Sequence, residues 1–137
     1  IMGKPKDKQL ARKLQDYVDR VKSRGISLVT FPDKIGREGY ETKLSELSGE
    51  LVLVDQEGRE MTSKALSSWL SSKKLDRTPT HLAIGPTEGF SEHLKNSASS
   101  SISLSRLTFT HELAALILME QLYRATEIER GSTYHRE

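Results

Sequence analysis

Residues 51–55 read Leu51-Val52-Leu53-Val54-Asp55, and this stretch decides the fold class. A short run of consecutive apolar residues, two of them β-branched, is typical of a strand that is covered on both faces, as in a parallel sheet. The polar segment Gln56–Arg59 then indicates a turn. We therefore expect an α/β domain with this stretch as a central strand.

The sequence on either side alternates between extended and helical patterns. Three further stretches have strand-like patterns: Ile26–Phe31, His81–Ile84 and Ser101–Leu104. Four have helical spacing or a capping residue: Lys6–Ser23, a segment capped by Thr62 or Ser63, Ser91–Ser97, and a long final helix from His111 to about Arg130 behind Thr110. The polar segment Asp33–Gly49, with three glycines, predicts a long loop with one helical turn at Leu44–Leu47. Together they predict a mainly parallel sheet flanked by helices.

Composition excludes several classes of protein. A chain of 137 residues fits one domain. It contains no cysteine, which excludes disulfides and thiolate chemistry.

The longest apolar run, Leu113–Met119, is too short to span a bilayer, and no secretory signal is visible. We therefore expect no membrane partner and a cytoplasmic location. The four histidines lack zinc-site spacing, so no metal is expected. A net charge of +2 means that a nucleic-acid partner would need a local basic patch, a dimer or help from another protein.

Three strand ends predict where a ligand binds. Ligands of open α/β sheets lie beyond the carboxyl ends of the strands, here Val54-Asp55, Ile84-Gly85 and Leu104-Ser105. Gly85 and Gly89 bracket the step from strand to helix, a weak signal that is neither a Walker A loop nor a dinucleotide fingerprint.

The C-terminal segment groups an aromatic ring, an imidazole and a guanidinium in Tyr134-His135-Arg136. Such a group favours a functional site, although a solvated polar tail is the alternative reading. Arg124, Arg130 and Arg136 are candidates for a basic edge that binds phosphates, the alternative being an ordinary solvated helix face.

Taken together, these residues resemble the SPOUT class of S-adenosylmethionine-dependent RNA methyltransferases, and within it the small single-domain RlmH type, which methylates a pseudouridine of large-subunit ribosomal RNA. The resemblance runs from end to end of the chain. Its residues are Gly3–Asp7, Tyr17, Arg20, Val54-Asp55, Gly58, Ile84-Gly85, Gly89, Leu104–Phe109, His111, Glu120–Ala125 and Tyr134–Glu137.

The resemblance implies one SPOUT domain over residues 1–137, a C-terminal trefoil knot and a homodimer. It implies that S-adenosylmethionine is held by backbone groups of three loops, at Val54, Gly85, Leu104, Ser105, Arg106, Leu107, Thr108 and Phe109. The residues Tyr134, His135 and Arg136 would lie near the target base, in a site formed with the partner subunit. His135 would accept the imide proton, an arginine would stabilise the resulting anion, and Tyr134 would stack or hydrogen-bond.

The sequence departs from the family pattern at several positions. Pro86, Thr110, Ala115 and Thr133 replace a usual glycine, proline, arginine and proline. The segment Asp33–Gly49 is short for the family, and the first strand is represented only by Ile1-Met2, so we expect that the start of the chain is absent. Pro86 bears on cofactor binding and Ala115 on RNA contact.

The expected function is methylation of N3 of a pseudouridine in large-subunit ribosomal RNA, on the assembled ribosome. Two alternatives stay open. One is a SPOUT methyltransferase for another ribosomal RNA base, including the small subunit, because Ile84-Gly85-Pro86 and Gly89-Phe90-Ser91 also resemble the uridine-N3 enzymes of that subunit. The other is a catalytically weakened ribosome-binding or assembly protein.

Overall fold

The computed structural model describes residues 1–136 and contains a three-stranded parallel sheet. The strands are β1 (Glu50–Glu60), β2 (Thr80–Ile84) and β3 (Ser100–Ser103), arranged in the order β2-β1-β3. The stretch Leu51–Asp55 thus lies in the central strand, and both pairings of this strand are parallel. The expected α/β architecture is confirmed.

Five helices surround the sheet: α1 (Lys8–Lys22), α2 (Gly36–Ser45), α3 (Ser63–Leu75), α4 (Glu92–Ser97) and α5 (His111–Glu129). Four of them begin behind a side chain that accepts a hydrogen bond from the first turn; the capping residues are Asp7, Thr62, Ser91 and Thr110. Such caps satisfy backbone N–H groups that have no partner within the helix. The helix starts predicted at Thr62, Ser91 and Thr110 are confirmed.

The sheet separates two apolar clusters. Val52 and Leu53 are neighbours in β1 and point to opposite faces, and each is about 1% exposed. Val52 packs in a cluster with α1, α3 and α5, and Leu53 packs in one with α2 and α4. The protein therefore has three layers, which explains why β1 is apolar on both faces.

The segment Asp33–Gly49 is not the long loop that the sequence predicted. It forms a short 3-10 turn at Asp33–Ile35 and then α2. Tyr40 and Leu44, one helical turn apart, are buried, and the Tyr40 hydroxyl donates to the Ile84 carbonyl at 2.8 Å. Burial of this pair outweighs the poor helix propensity of the glycines.

The segment Ile26–Phe31, predicted as a strand, also differs. Within the described residues its bridge pairing is limited to Phe31 with Met2, supported by a bond from the Phe31 N–H to the Ile1 carbonyl at 2.8 Å. An extended pattern becomes a strand only when a neighbouring strand pairs with it along its length. A groove of about 620 Å³ lies between this segment and β2.

The turn predicted at Gln56–Arg59 lies within strand β1 instead of after it, where the regular pairing with β3 is broken. Val54 and Arg59 both pair with Ile102, so residues 55–58 loop out between them. Gly58 lies against the backbone of β3: a Cβ atom there would lie 2.6 Å from the Ile102 carbonyl carbon. Only a glycine fits this crossing of two chain segments.

Candidate functional site

The three predicted ligand-binding loops start side by side. In the sheet, Val54 is the Cα partner of both Ile84 and Ile102. Gly85 follows Ile84 directly, and Leu104 lies two residues beyond Ile102. The structure therefore brings Val54, Gly85 and Leu104 together at the carboxyl ends of β2 and β3, beside the point where the pairing of β1 with β3 shifts its register.

The loop after β2 is a tight turn. The Gly89 N–H donates to the Pro86 carbonyl at 2.8 Å, and Gly89 has a φ of +78°. Gly85 faces the Phe90 ring, which a Cβ atom would approach to 3.2 Å. Pro86 itself is buried. The proline that stands where a glycine was expected therefore helps to hold this turn against the protein.

The segment Leu104–Phe109 is tied to the second half of β1. The Thr108 hydroxyl donates to Gln56 Oε1 at 2.9 Å, and Arg106 forms an ion pair with Glu60. Within the segment, the Ser105 hydroxyl accepts a bond from the Leu107 N–H at 3.0 Å. Residues 56–60 of β1 and the loop after β3 therefore hold each other in place.

A small cavity of about 210 Å³ opens next to the carboxyl end of β3. It is lined by residues of three elements around Leu104: Met61, Thr62, Ser63, Leu66, Ile102, Ser103, Ile117 and Gln121. The larger groove beside β2 contains none of the predicted site residues. We regard the strand-end loops as the candidate cofactor site, because the register of the sheet places them together.

The C-terminal segment folds back against α1 and α5 instead of extending into solvent. The Tyr134 hydroxyl lies 3.3 Å from the Tyr17 hydroxyl and donates to Glu120 Oε1 at 3.3 Å. Since Tyr134 has a single hydroxyl proton, Tyr17 is the donor in the first contact. The Tyr134 ring meets the Tyr123 ring edge-on, with centroids 4.8 Å apart.

Tyr134 stays neutral in this setting. Burial, followed by the hydrogen bond with Tyr17 and the charge of Glu120, raises the pKa of Tyr134 well above its ordinary value. Tyr134 can therefore donate a hydrogen bond or stack on a base, but it does not accept a proton near neutral pH.

Glu120 connects Tyr134 with His135. It accepts two bonds from Arg124, from Nε at 2.9 Å and from Nη2 at 2.5 Å. Arg124 Nη1 in turn lies 3.2 Å from His135 Nδ1. Arginine can only donate, so His135 Nδ1 accepts, and the ring proton of the neutral imidazole is on Nε2.

Two arginines of the α1 side cover the outer face of this cluster. The Arg20 guanidinium carbon lies 5.3 Å from the ring centroids of both Tyr17 and Tyr123. Arg24 lies over the Tyr123 ring at 5.1 Å and forms an ion pair with Glu127 at 3.4 Å. Cationic groups stacked on aromatic rings suit a surface that binds a nucleotide.

Not all predicted site residues come together. Tyr134 and His135 contact α1 and α5, whereas Arg136 is exposed and makes no hydrogen bond or ion pair with a described residue. Across residues 1–136, no hydrogen bond, ion pair or ring contact joins these three residues to Val54, Gly85 or Leu104–Phe109. The candidate site is therefore in two parts, the strand-end loops and an aromatic cluster (Tyr17, Tyr123 and Tyr134).

Sequence reasoning missed Glu120 and Tyr123 as members of the site. Both belong to the turns of α5 that carry Arg124, and the spacing of Glu120, Tyr123, Arg124 and Glu127 places polar groups along one side of an otherwise apolar helix. These polar residues within an apolar helix were the sequence signal that could have placed Glu120 and Tyr123 in the site. Ala115, in contrast, is fully buried in the core.

Comparison with known proteins identifies the fold family. A family model described as "Predicted SPOUT methyltransferase" matches residues 1–135. The chain belongs to the SPOUT methyltransferase family. The SPOUT assignment made from the sequence is thereby confirmed. The strand-end loops of this SPOUT protein are the candidate binding site for its methyl donor.

Relatives of this SPOUT protein share one name. The chain is similar to the "Ribosomal RNA large subunit methyltransferase H" of Prochlorococcus marinus, with 38% identity over 99% of the chain and 92% of the relative. It is also similar to the proteins of that name from Coprothermobacter proteolyticus, with 35% identity over 98% and 95%, and Geotalea daltonii, with 34% identity over 98% and 95%. The expected RlmH type is thereby confirmed.

Two kinds of feature are absent from the described residues. Among residues 1–136, no group of three or more acidic or histidine side chains is placed to hold a metal ion. No helix in this described part is long and apolar enough to cross a membrane.

Proposed function

We propose that this protein transfers a methyl group from S-adenosylmethionine to N3 of a pseudouridine in large-subunit ribosomal RNA, acting on the assembled ribosome in the cytoplasm. The observation that carries the proposal is the aromatic and charged cluster around Tyr134, combined with near full-length similarity to proteins named for this RNA subunit. The similarity supports large-subunit ribosomal RNA as the substrate, and the cluster supplies side chains that can bind a base.

The strand-end loops fit a bound S-adenosylmethionine. The backbone N–H groups of Arg106, Thr108 and Phe109 donate no hydrogen bond to any described atom, so they are available to the polar edge of an adenine. Leu107 is 71% exposed and offers an apolar side chain beside them. Val54, Gly85 and Leu104–Phe109 would hold the cofactor, which when bound supplies an electrophilic methyl group on sulfur.

The aromatic cluster would position the base and manage its proton. Stacking on Tyr134 and approach of Arg136 would orient a pseudouridine ring and stabilise the anion left when N3 loses its proton. His135 is the candidate base, but its Nδ1 lone pair is engaged by Arg124. We expect it to leave Arg124 when it accepts the proton, so that Arg124 becomes free to face the anion.

A homodimer would unite the two parts of the site. The tail contacts α1 and α5 of its own chain, and within the described residues it does not reach the strand-end loops. Leu107 and Leu113, near the start of α5, are exposed apolar residues suited to a subunit contact. We therefore place the strand-end loops of one subunit beside the aromatic cluster of the other.

We also propose that the chain is knotted as a trefoil. Support comes from the loop of residues 55–58, which leaves and rejoins β3, and from the contact between Gly58 and the Ile102 backbone. In a threaded chain two backbone segments cross at close range, and a glycine permits that approach.

Two measurements test this function. Calorimetric titration with S-adenosylmethionine should give saturable binding at about one site per subunit. Transfer of a labelled methyl group to bacterial ribosomes, followed by mapping of the modified nucleotide, should place it on N3 of a large-subunit pseudouridine. Binding of S-adenosylmethionine without methyl transfer would favour a ribosome-binding or assembly protein. Label on another base would indicate a SPOUT methyltransferase with a different ribosomal RNA target.

A further inference from the structure

Positive charge is concentrated in the first two dozen residues. Residues 4–24 carry eight lysines and arginines and three aspartates, a net charge of +5, whereas the whole chain has a net charge of +2. The rest of the chain is therefore acidic by three charges. The small overall charge hides a strong difference between α1 with its preceding segment and the remaining surface.

Five of these eight cations, the four named next and Lys22, form no ion pair with a described residue. Lys4, Lys6, Lys8 and Arg12 are exposed and form no ion pair with any residue in the described range 1–136. We name these four residues the α1 basic surface. Some cations elsewhere, such as Lys73, Lys95, Arg106 and Arg124, are each paired with an acidic residue, whereas Lys34, Arg37 and Lys43 around α2 form no ion pair in the described part of the chain.

The α1 basic surface destabilises the isolated protein. Two of its members, Lys6 and Lys8, lie beside the N-terminus of α1, where the helix dipole disfavours positive charge. Like charges at Lys8 and Arg12, four residues apart on one helix, also repel. A binding partner that carries negative charge would relieve both effects.

This surface lies between the two parts of the candidate site. The Lys6 backbone N–H donates to Glu112 Oε1 at 3.1 Å, which fixes the start of α1 beside the start of α5, next to the segment Leu104–Phe109. Along α1, Lys13 Nζ lies 5.3 Å from the centroid of the Tyr17 ring, and Tyr17 contacts Tyr134. The nine residue-to-residue steps from Lys8 to Tyr17 rise about 13.5 Å along the helix, a length of about four nucleotides of a helical strand.

We propose that the α1 basic surface binds the phosphate backbone of the RNA strand that presents the target base. The inference rests on the proposed function and identifies where its RNA substrate is held. Lysines supply mobile point charges, which suit phosphates without reading sequence. The surface therefore contributes affinity and positioning, while the aromatic cluster contacts the base.

The test compares two variants matched in charge and residue type. Lys6→Gln/Lys8→Gln/Arg12→Gln removes three cations of the α1 basic surface. Lys34→Gln/Arg37→Gln/Lys43→Gln removes two lysines and one arginine around α2, on the opposite face of the sheet, all exposed and without an ion pair in the described part of the chain. Neither variant changes a residue of the cofactor loops or the aromatic cluster.

The affinity of each variant for bacterial 70S ribosomes is measured by sedimentation at several potassium chloride concentrations. For the α1 variant we expect a Kd at least tenfold higher near 0.1 M salt. The slope of log affinity against log salt should fall by about 2, because each single-strand phosphate contact contributes about 0.7. The α2 variant should stay within twofold of the parent, and both should bind S-adenosylmethionine as the parent does.

Three results would overturn the inference: equal loss in the two variants, no binding of ribosomes by the parent, or tighter binding of the parent to vesicles rich in phosphatidylglycerol than to ribosomes. The last would identify a lipid surface instead. Affinity is measured without turnover, so a parent that binds ribosomes through this surface but transfers no methyl group would contradict the proposed function alone.

Discussion

The hydroxyl oxygens of Tyr17 in α1 and Tyr134 in the tail lie 3.3 Å apart, although 117 positions separate the two residues. This contact joins the first helix of the chain to its last described residues. It holds the tail in a defined position, with the Tyr134 hydroxyl also donating to Glu120. If the proposed function is right, the contact is part of what orients the target base.

Tyr134→Phe tests this contact. The variant keeps the ring against Tyr123 and removes both hydroxyl contacts. We expect a loss of unfolding free energy of about 1 kcal/mol and a kcat for methyl transfer about tenfold lower, with unchanged affinity for S-adenosylmethionine. Tyr17→Phe, which removes only one contact, should have a smaller effect. Parental kcat in Tyr134→Phe would show that the hydroxyl does not position the tail.

Glu120→Gln tests the link between Tyr134 and His135. A neutral amide weakens the two hydrogen bonds that Arg124 donates to the Glu120 carboxylate. We expect kcat to fall at least tenfold and unfolding free energy by about 1–3 kcal/mol. Lys74→Gln breaks the exposed pair between Lys74 and Glu129, whose charged atoms lie 3.5 Å apart, and should cost less than about 1 kcal/mol. A Glu120→Gln variant that keeps full activity would remove Glu120 from the site.

His135→Gln separates two roles of the imidazole. A glutamine oxygen can still accept a bond from Arg124, but it cannot take up the N3 proton. If His135 is the base, both His135→Gln and His135→Ala lose methyl transfer. If His135 only orients Arg124, the glutamine variant keeps most of the activity and the alanine variant does not. Pre-steady-state rates on ribosomes distinguish these outcomes.

Gly58→Ala tests the crossing of the β1 loop over β3. A methyl group would lie 2.6 Å from the Ile102 carbonyl carbon, closer than such atoms approach. We expect a loss of unfolding free energy of about 3 kcal/mol or more, measured by urea denaturation. Glu57→Ala, at the exposed neighbouring position, should lie within about 0.5 kcal/mol of the parent. Equal stability of the two variants would show that the backbones separate easily.

Glu127 makes the stability of the fold depend on acid pH. The hydrogen bond from Tyr123 is the main cause that lowers the pKa of Glu127 below its ordinary value, and Arg24 adds to it. The folded state thus binds the proton more weakly than the unfolded state, so the stabilisation is present above about pH 4.5. It is lost as the pH falls through the lower folded pKa.

The corresponding measurement is urea unfolding of the parent and of Glu127→Gln between pH 7 and pH 3. The variant should be less stable than the parent at pH 7. The difference between the two should shrink below about pH 4.5. A difference that stays constant over this range would show that Glu127 does not titrate with folding.

Local patterns predicted the elements that depend on local chemistry. The central strand followed from the apolar run at Leu51–Val54, and the helix starts followed from Thr62, Ser91 and Thr110. Helix α2 was missed because its stability comes from burial of Tyr40 against Phe31 and Phe90, partners in other parts of the chain. No local pattern reports such packing.

The candidate site shows the same division. Sheet topology predicts that Val54, Gly85 and Leu104 lie together, because strand ends of a parallel sheet share an edge. The contacts of Tyr134 with Tyr17 and Glu120 depend on how α1 and α5 pack, which residue spacing does not give. The concentration of positive charge in residues 4–24 can be counted from the sequence, but the net charge of the whole chain conceals it.

The parallel sheet also sets the order in which a newly made chain can fold. Glu50 pairs with Thr80, and Val52 pairs with Ser100, so no strand of the sheet pairs with a segment made immediately before or after it. On a translating ribosome, β1 must wait exposed until β3 has emerged, and the aromatic cluster must wait for the final residues. A chain that stalls before Ser103 would present an apolar strand without its neighbour, which makes truncated products of this protein prone to aggregation.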